Sequence, residues 1–465
     1  MPRPQESHYR TRSFWHEVAP HYEPGPPLEG ERRADVAIIG GGYTGLWTAY
    51  HLKTEQPSLE VAVLEQEVAG YGASGRNGGF AMTLLGRSLD DLKEQFGAAE
   101  ALEAHKAVMA AVDGIGQFAR ENNVECDYEK TGIVTVSTTP WQDAIIENDV
   151  KAAQEMGIQD IRFLDGQTVR DMVHSPTYRC AHEEGACAIL NPAKLAWGLA
   201  QAIRQKGVAL YEGTSVQEVR RSDGGVEVKT EGGLLRVEKA VLATNAYSVH
   251  FPHIARWVVP LYTYIVLTEP LTPAQWDSIG WKGRQGIEDR LGGLHYYRPT
   301  VDGRIAWGGD AFPYHFGSRI GPQFDRDEAV FARLRASFAR TFPTLSGVKF
   351  THAWGGPVAI TIRFVPTFGT VKGGRIHYGV GYSGHGVAPT YVGGEILRDL
   401  VLDRKTERTN LCLVKKGAIA FPPEPLRYLA VTASLRHLDR QDRSDKVVKP
   451  PFLMRVVQRL EGGRR

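Results

Sequence analysis

The chain has few cysteines, no long apolar run and almost no net charge, and each absence removes a class of protein. Its four cysteines, Cys126, Cys180, Cys187 and Cys412, form no C-x-x-C pair and no zinc spacing. A disulfide framework and a metal site are therefore not expected, and so sparse a count suits a reducing compartment. The strongest apolar stretch, WVVPLYTYIVLT at 257–268, contains Pro260 and is shorter than the roughly 18 residues a membrane helix needs. The opening MPRPQESHYRTRSFWHEVAP carries charges and no apolar h-region, so no secretory leader is expected. These features together predict a cytoplasmic protein. A net charge of +2 gives no electrostatic reason to expect nucleic acid. Only its distribution is uneven: from Arg404 to Arg465, 15 Lys and Arg face 6 Asp and Glu. This basic tail is a candidate contact for a second copy of the chain or a partner subunit. The plainer reading packs it on the chain's own acidic body.

Glycine is plentiful, and it clusters. The stretch VAIIGGGYTG places Gly40, Gly42 and Gly45 between an apolar strand and a helix that begins at Tyr43 and Thr44. In such a turn the first glycine permits the bend, the second admits a pyrophosphate, and the third lets helix pack on strand. Glu65 follows Gly45 by twenty residues at the end of the next apolar run, LEVAVLEQE. A carboxylate there can accept a bond from a ribose 2′-OH, and neighbouring Gln66 offers no positive charge for a 2′-phosphate. The ligand is FAD or NAD on this evidence. A second glycine loop, YGASGRNGG at 71–79, favours FAD, because a flavin end must thread past backbone and a nicotinamide domain needs no such loop. It contains Ala73, Ser74, Arg76, Asn77, Gly78 and Gly79.

A third cluster, GVGYSGHG at 379–386, also reads G-x-G-x-x-G. A strand pattern precedes it and a helix pattern follows, yet no β-type run follows that helix. The βαβ unit is incomplete, so a second dinucleotide is not expected.

Together GGGYTGL, GYGASGRNGG, VLATNAY and GYSGHGV resemble the D-amino-acid oxidase and sarcosine oxidase superfamily of flavoproteins, and within it the amine-oxidising members. The resemblance covers roughly residues 12–405. It implies an α/β fold, with a Rossmann-like FAD-binding domain and a substrate domain built on a mainly antiparallel sheet. It also implies that Gly384, His385, Gly386 and Val387 face the flavin's pyrimidine edge, where backbone amides and a helix dipole favour negative charge. Val216, Thr244 and Asn245 are its further FAD contacts. Some relatives attach flavin through a cysteine near HAWGGPV, 352–358; none is present, so FAD is expected to be non-covalent. Some carry a lysine that promotes reaction with oxygen; the aligned position is Ala306, which leaves O2 or another electron acceptor open.

The expected division is an arm at 1–33, an FAD-binding domain at 34–100, 188–252 and 345–405, a substrate domain at 101–187 and 253–344, and the tail at 406–465. Alternation places Tyr262 with Tyr264, and His295 with Tyr297, each pair on one face of an aromatic strand. These four, with Arg298 and Arg363 as possible carboxylate partners, are the candidate substrate-site residues. An aromatic core between sheets is the competing reading of the same residues. The expected reaction is oxidation of an amine C–N bond in an amino acid, N-substituted amino acid or gamma-glutamyl amine. Hydride would pass to flavin N5, and the imine would be hydrolysed. The alternatives are an NAD(P)H-dependent flavin reductase or monooxygenase, and a flavin-bound subunit of a multi-subunit dehydrogenase.

Overall fold

The computed structural model describes residues 4–449. The run Val36–Ile39 is buried along its whole length and shows no alternation, as a central parallel strand requires. It lies within a six-stranded sheet ordered Thr367–Thr370, Ile376–Val380, Lys239–Leu242, Val36–Ile39, Val61–Leu64, Ala209–Tyr211. Neighbours from Ile376–Val380 onward pair in parallel, with Ile38 opposite Val63 and Val241. Thr367–Thr370 joins the edge as an antiparallel strand. Helices Tyr43–Glu55, Pro192–Gln205 and Val387–Val401 cover one face together with Ala98–Glu121. A four-stranded sheet of Gly30–Arg33, Gly233–Val237, Gly225–Thr230 and Val216–Ser222 packs on the other.

The aromatic segments form a separate eight-stranded sheet. Its longest pairing sets Val259–Thr268 antiparallel to Phe350–Ile360, with Thr263 opposite Gly356 and Ile265 opposite Trp354. Helix Glu328–Thr341 seals one face of this sheet over a core containing Tyr262, Tyr264, Tyr297 and Trp307. The opposite face looks toward the glycine turns. The α/β architecture expected from the sequence is the one observed.

The two terminal segments both carry regular structure, the tail as the helical pattern of LRYLAVTASLRHLDR suggests and the arm beyond what its sequence suggests. The arm holds short helices Glu6–Arg10 and Phe14–Glu17, and its end, Gly30–Arg33, pairs in parallel with Gly233–Val237. Glu212, fully buried, fastens the arm by accepting from Gly25 N at 2.5 Å and Tyr22 OH at 3.0 Å. The tail contains helix Leu426–Asp442, which crosses the antiparallel sheet. Residues 1–3 of the arm and 450–465 of the tail lie outside the described residues. Among the described residues no helix is long and apolar enough to cross a membrane.

Candidate active site

Two glycine turns meet above the parallel strands. The first opens helix Tyr43–Glu55 at Gly42, which has no side chain with which to cap the leading amides. A Cβ on Gly42 would stand 3.0 Å from Ser74 Oγ, inside the concavity, and one on Gly45 would stand 2.0 Å from the Gly40 carbonyl oxygen. Glycine at these positions keeps the anion end open and the packed side closed. Tyr43 N donates to Ser74 Oγ at 2.9 Å, which joins the first turn to the 71–79 loop; the Tyr43 ring turns inward to Pro192. Glu65 accepts from Gly41 N at 2.7 Å and Glu67 N at 3.0 Å, beside an exposed Gln66. Burial pushes the Glu65 carboxyl up to about 7.

The second turn opens helix Val387–Val401 at Gly386, again without a side-chain cap. Thr44 Oγ1 donates to Tyr382 OH at 2.9 Å and Gly381 N donates to Asn245 Oδ1 at 3.2 Å, which ties this turn to the first and to the strand end at Thr244. After Val401 the next elements are the short turns Arg408–Asn410 and Cys412–Lys415, not a strand. The two turns are therefore opposite ends of one cradle. Two uncapped helix N-termini, an acid at a strand end and backbone opened by glycine fit a dinucleotide with a flavin at its far end. Val216 begins an edge strand of the four-stranded sheet, two residues after Thr214, whose N–H donates to Glu65 O at 2.8 Å.

Beside the second turn lies a cavity of about 1090 Å³. Ala73, Arg76, Asn77 and Gly78 form one wall, and Ser383, Gly384, His385 and Val387 another. Thr263, Ile265, Tyr296 and Trp354 of the antiparallel sheet face them. Arg76 locks the loop to that sheet: it donates to Asp325 Oδ2 at 2.8 Å and Gly355 O at 3.2 Å, while Trp354 Nε1 donates to Arg76 O at 2.8 Å. Asn77 Oδ1 accepts from Gly79 N at 2.7 Å and holds the loop's own bend. His385 Nδ1 meets Ser383 O at 3.1 Å, and its Nε2 lies 4.0 Å from Glu288 Oε2. Burial lowers His385 to about 4 and raises Glu288 to about 7.

The expected substrate residues are placed differently. Alternation pairs Tyr262 with Tyr264 and His295 with Tyr297 as expected, but on the face away from the cavity. Tyr262 OH donates to Gly321 O at 3.2 Å and Tyr264 OH to Phe324 O at 2.9 Å, both toward helix Glu328–Thr341. Tyr297 stacks on Trp307 at 4.0 Å and shares a 2.7 Å bond with Tyr178 OH. His295 Nδ1 bonds Asp289 Oδ2 at 2.7 Å, and that carboxylate raises its pKa against the opposing effect of burial. Arg298 is 2% exposed and donates to Gly78 O at 2.7 Å and Leu190 O at 2.6 Å, so it supports the loop from behind. Arg363 is held by the carbonyl of Gly417. The cavity face carries the odd-numbered residues of Val259–Thr268 and the intervening Tyr296, whose hydroxyl bonds Thr263 Oγ1 at 3.1 Å. Tyr296, Thr263 and Glu288 were not singled out by the sequence; for Tyr296 the signal was present, one residue away in HYYRP.

Comparison with known proteins gives the same picture. The family model described as DAO, FAD dependent oxidoreductase, matches residues 35–400. The chain is 31% identical to gamma-glutamylputrescine oxidoreductase of Escherichia coli K12 over 393 residues, covering 84% of this chain and 89% of that one. It is 24% identical to sarcosine oxidase subunit beta of Rhodobacter capsulatus over 344 residues, 72% of this chain and 76% of that one. Among solved structures, glycine oxidase of Geobacillus kaustophilus superposes with a TM-score of 0.69 at 19% identity, covering 84% of this chain and all of that one.

Proposed function

The chain belongs to the FAD-dependent oxidoreductase family whose model spans residues 35–400, and from that premise we propose that it oxidises the C–N bond of an amine or amino acid to an imine, which water then hydrolyses. Bound FAD supplies the hydride acceptor. The observation that carries the amine reading is Glu288 beside His385 on the cavity wall, 4.0 Å apart. An amine arrives as an ammonium and must lose a proton before its nitrogen lone pair can stabilise the forming imine. Glu288, held by burial at about 7, has the proton affinity to accept that proton near neutrality. His385 is kept neutral by its own burial and adds no positive charge to repel the incoming cation. Its Nδ1–H donates to the Ser383 carbonyl, which leaves Nε2 as an acceptor toward the cavity. Tyr296 and Thr263 add hydroxyls on the facing wall. Gamma-glutamylputrescine and sarcosine, named in two of the curated relatives, both carry an amine nitrogen, in keeping with this reading.

A reductase fed by NAD(P)H needs a second nucleotide seat, and among the described residues the turn at 379–386 leads into no further strand. The test is anaerobic mixing of the FAD-loaded protein with a panel of amines and amino acids. Flavin bleaching is expected, faster as pH rises through about 7, with Glu288→Gln slowing it and flattening that rise. A panel that leaves the flavin oxidised while NADH or NADPH reduces it quickly would overturn the proposal.

A further inference from the structure

The tail lies beyond the family match, which ends at residue 400, yet it forms one side of the cavity. Phe421, Leu426, Leu429, Val431, Leu435 and Leu438 all line it. The helix is seated by one apolar stripe: Tyr428, Val431 and Leu435 pack on Val259, Leu261, Val358 and Ile360, the cavity face of the antiparallel sheet. Helical spacing turns Leu426 and Leu429 to a different side, where they remain 59% and 58% exposed at the rim. Both ends of the segment are pinned. Asp442 accepts from Gly292 N at 2.7 Å and Gly293 N at 2.6 Å, next to Leu291 and Leu294 of the cavity wall. At the other end Phe421 N donates to Arg256 O at 2.7 Å, and Tyr314 OH and Gly317 N donate to Glu424.

A site for a small amino acid has no use for such a wall. The cavity's volume of about 1090 Å³ lies just above the usual range of small-molecule sites, roughly 300–1,000 Å³. Polar groups line the cavity near the glycine turns, at His385, Glu288 and Tyr296, and along 87–91, Asn148 and Asp149, while the tail side is mostly hydrocarbon, with Ser434 its one polar side chain. We propose that the tail segment 420–438 is the outer wall of the substrate cavity and selects amines that carry their nitrogen on an extended apolar arm over small amino acids. This rests on the amine reading above and adds the substrate's shape to it. A methylene added in an apolar pocket is worth roughly 10- to 200-fold in kcat/KM, so a wall of this composition has the capacity to set selectivity.

Two measurements on the FAD-loaded full-length chain test it. In the first, anaerobic flavin reduction is followed with a series of straight-chain primary amines and with glycine. The preference for the longer amines should fall at least tenfold in Leu435→Ala, the residue at the seated stripe. In the second, quenching of flavin fluorescence by iodide reports access to the cavity without any turnover. It should rise several-fold in a chain ending at Gly417, and also in Asp442→Asn, which loosens the helix end without removing it. An unchanged chain-length preference in Leu435→Ala, or iodide access unchanged in both tail variants, would overturn the wall. If no amine reduces the flavin at all, the amine reading fails, and iodide access alone then decides whether the tail closes the cavity.

Discussion

Replacing Arg298 by methionine separates a substrate contact from a support for the cradle. The guanidinium is 2% exposed, lies 4.7 Å over the Trp15 ring and donates to three carbonyls, Gly78 O at 2.7 Å, Leu190 O at 2.6 Å and, more weakly, Pro299 O at 3.4 Å. Its burial lowers the pKa to about 9, so it remains charged at neutral pH. Methionine keeps an unbranched apolar stem and removes every donor. Each hydrogen bond to a charged group is worth about 1.5–3 kcal/mol, so the two short bonds alone amount to about 3–6 kcal/mol. Removing a buried charge that is paired only with carbonyls recovers part of that. A net loss of about 2–3 kcal/mol of stability is expected, read from urea unfolding of the FAD-loaded protein. Because Gly78 lines the cavity, FAD binding should weaken as well. At full FAD occupancy, kcat/KM should fall by the same factor for acid-bearing and acid-free amines, since the side chain reaches neither. A loss at least tenfold greater on the acid-bearing ones would show that Arg298 grips a substrate carboxylate, and the supporting role would be refuted.

Other expectations follow from single groups. Glu65→Ala should weaken FAD binding by about 1.5–3 kcal/mol, the scale of a hydrogen bond to a charged group, and turn over nearly normally once saturated with FAD; a large loss of turnover at full occupancy would mean that the strand-end acid does more than bind. None of the four cysteines lines the cavity, so acid precipitation should release intact FAD into the supernatant, and flavin left in the pellet would contradict non-covalent binding. Glu184 is buried with Thr83 donating to it, and burial raises its carboxyl from 4.5 to about 7. The folded state then holds this proton more tightly than the unfolded chain, so stability falls as pH rises from about 4.5 to about 7, by up to about 3 kcal/mol. Glu184→Gln should restore that amount at pH above about 7 and change nothing below about 4.5; equal unfolding midpoints for both proteins at high pH would refute the shift.

The parts of the site that sequence made legible are those specified within one turn of chain. Gly40, Gly42 and Gly45 follow a strand and open a helix, and their spacing carries the geometry with it. The same holds for the 379–386 turn, whose missing third strand could be read directly. The face of the aromatic strands was not legible. Along Val259–Thr268 nine of ten residues are buried, so both faces are apolar and the alternation fixes which residues go together without fixing which side meets the flavin. That side is decided by helix Glu328–Thr341, which takes Tyr262 and Tyr264 into its own core. Glu212 and Arg298 were opaque for another reason: each is a buried charge satisfied by groups far along the chain, Gly25 and Tyr22 in one case, Gly78 and Leu190 in the other.

The tail extends the same reasoning. Its described contacts tie it to the chain's own body. Asp442 reaches Gly292 across 150 residues, and Arg333 meets Asp439 from the helix that seals the far side of the sheet. Arg436 and Arg440 of Leu426–Asp442 face solvent, while the stripe Tyr428, Val431 and Leu435 is taken by the sheet. An antiparallel sheet with one face on a helix must cover its other face or leave it wet. Here the glycine loops cover part of that face, and the tail covers the remainder over Val259, Leu261, Val358 and Ile360. The cavity lies between those two covers, so one side is formed by the cofactor cradle and its most apolar side by a segment outside the family match.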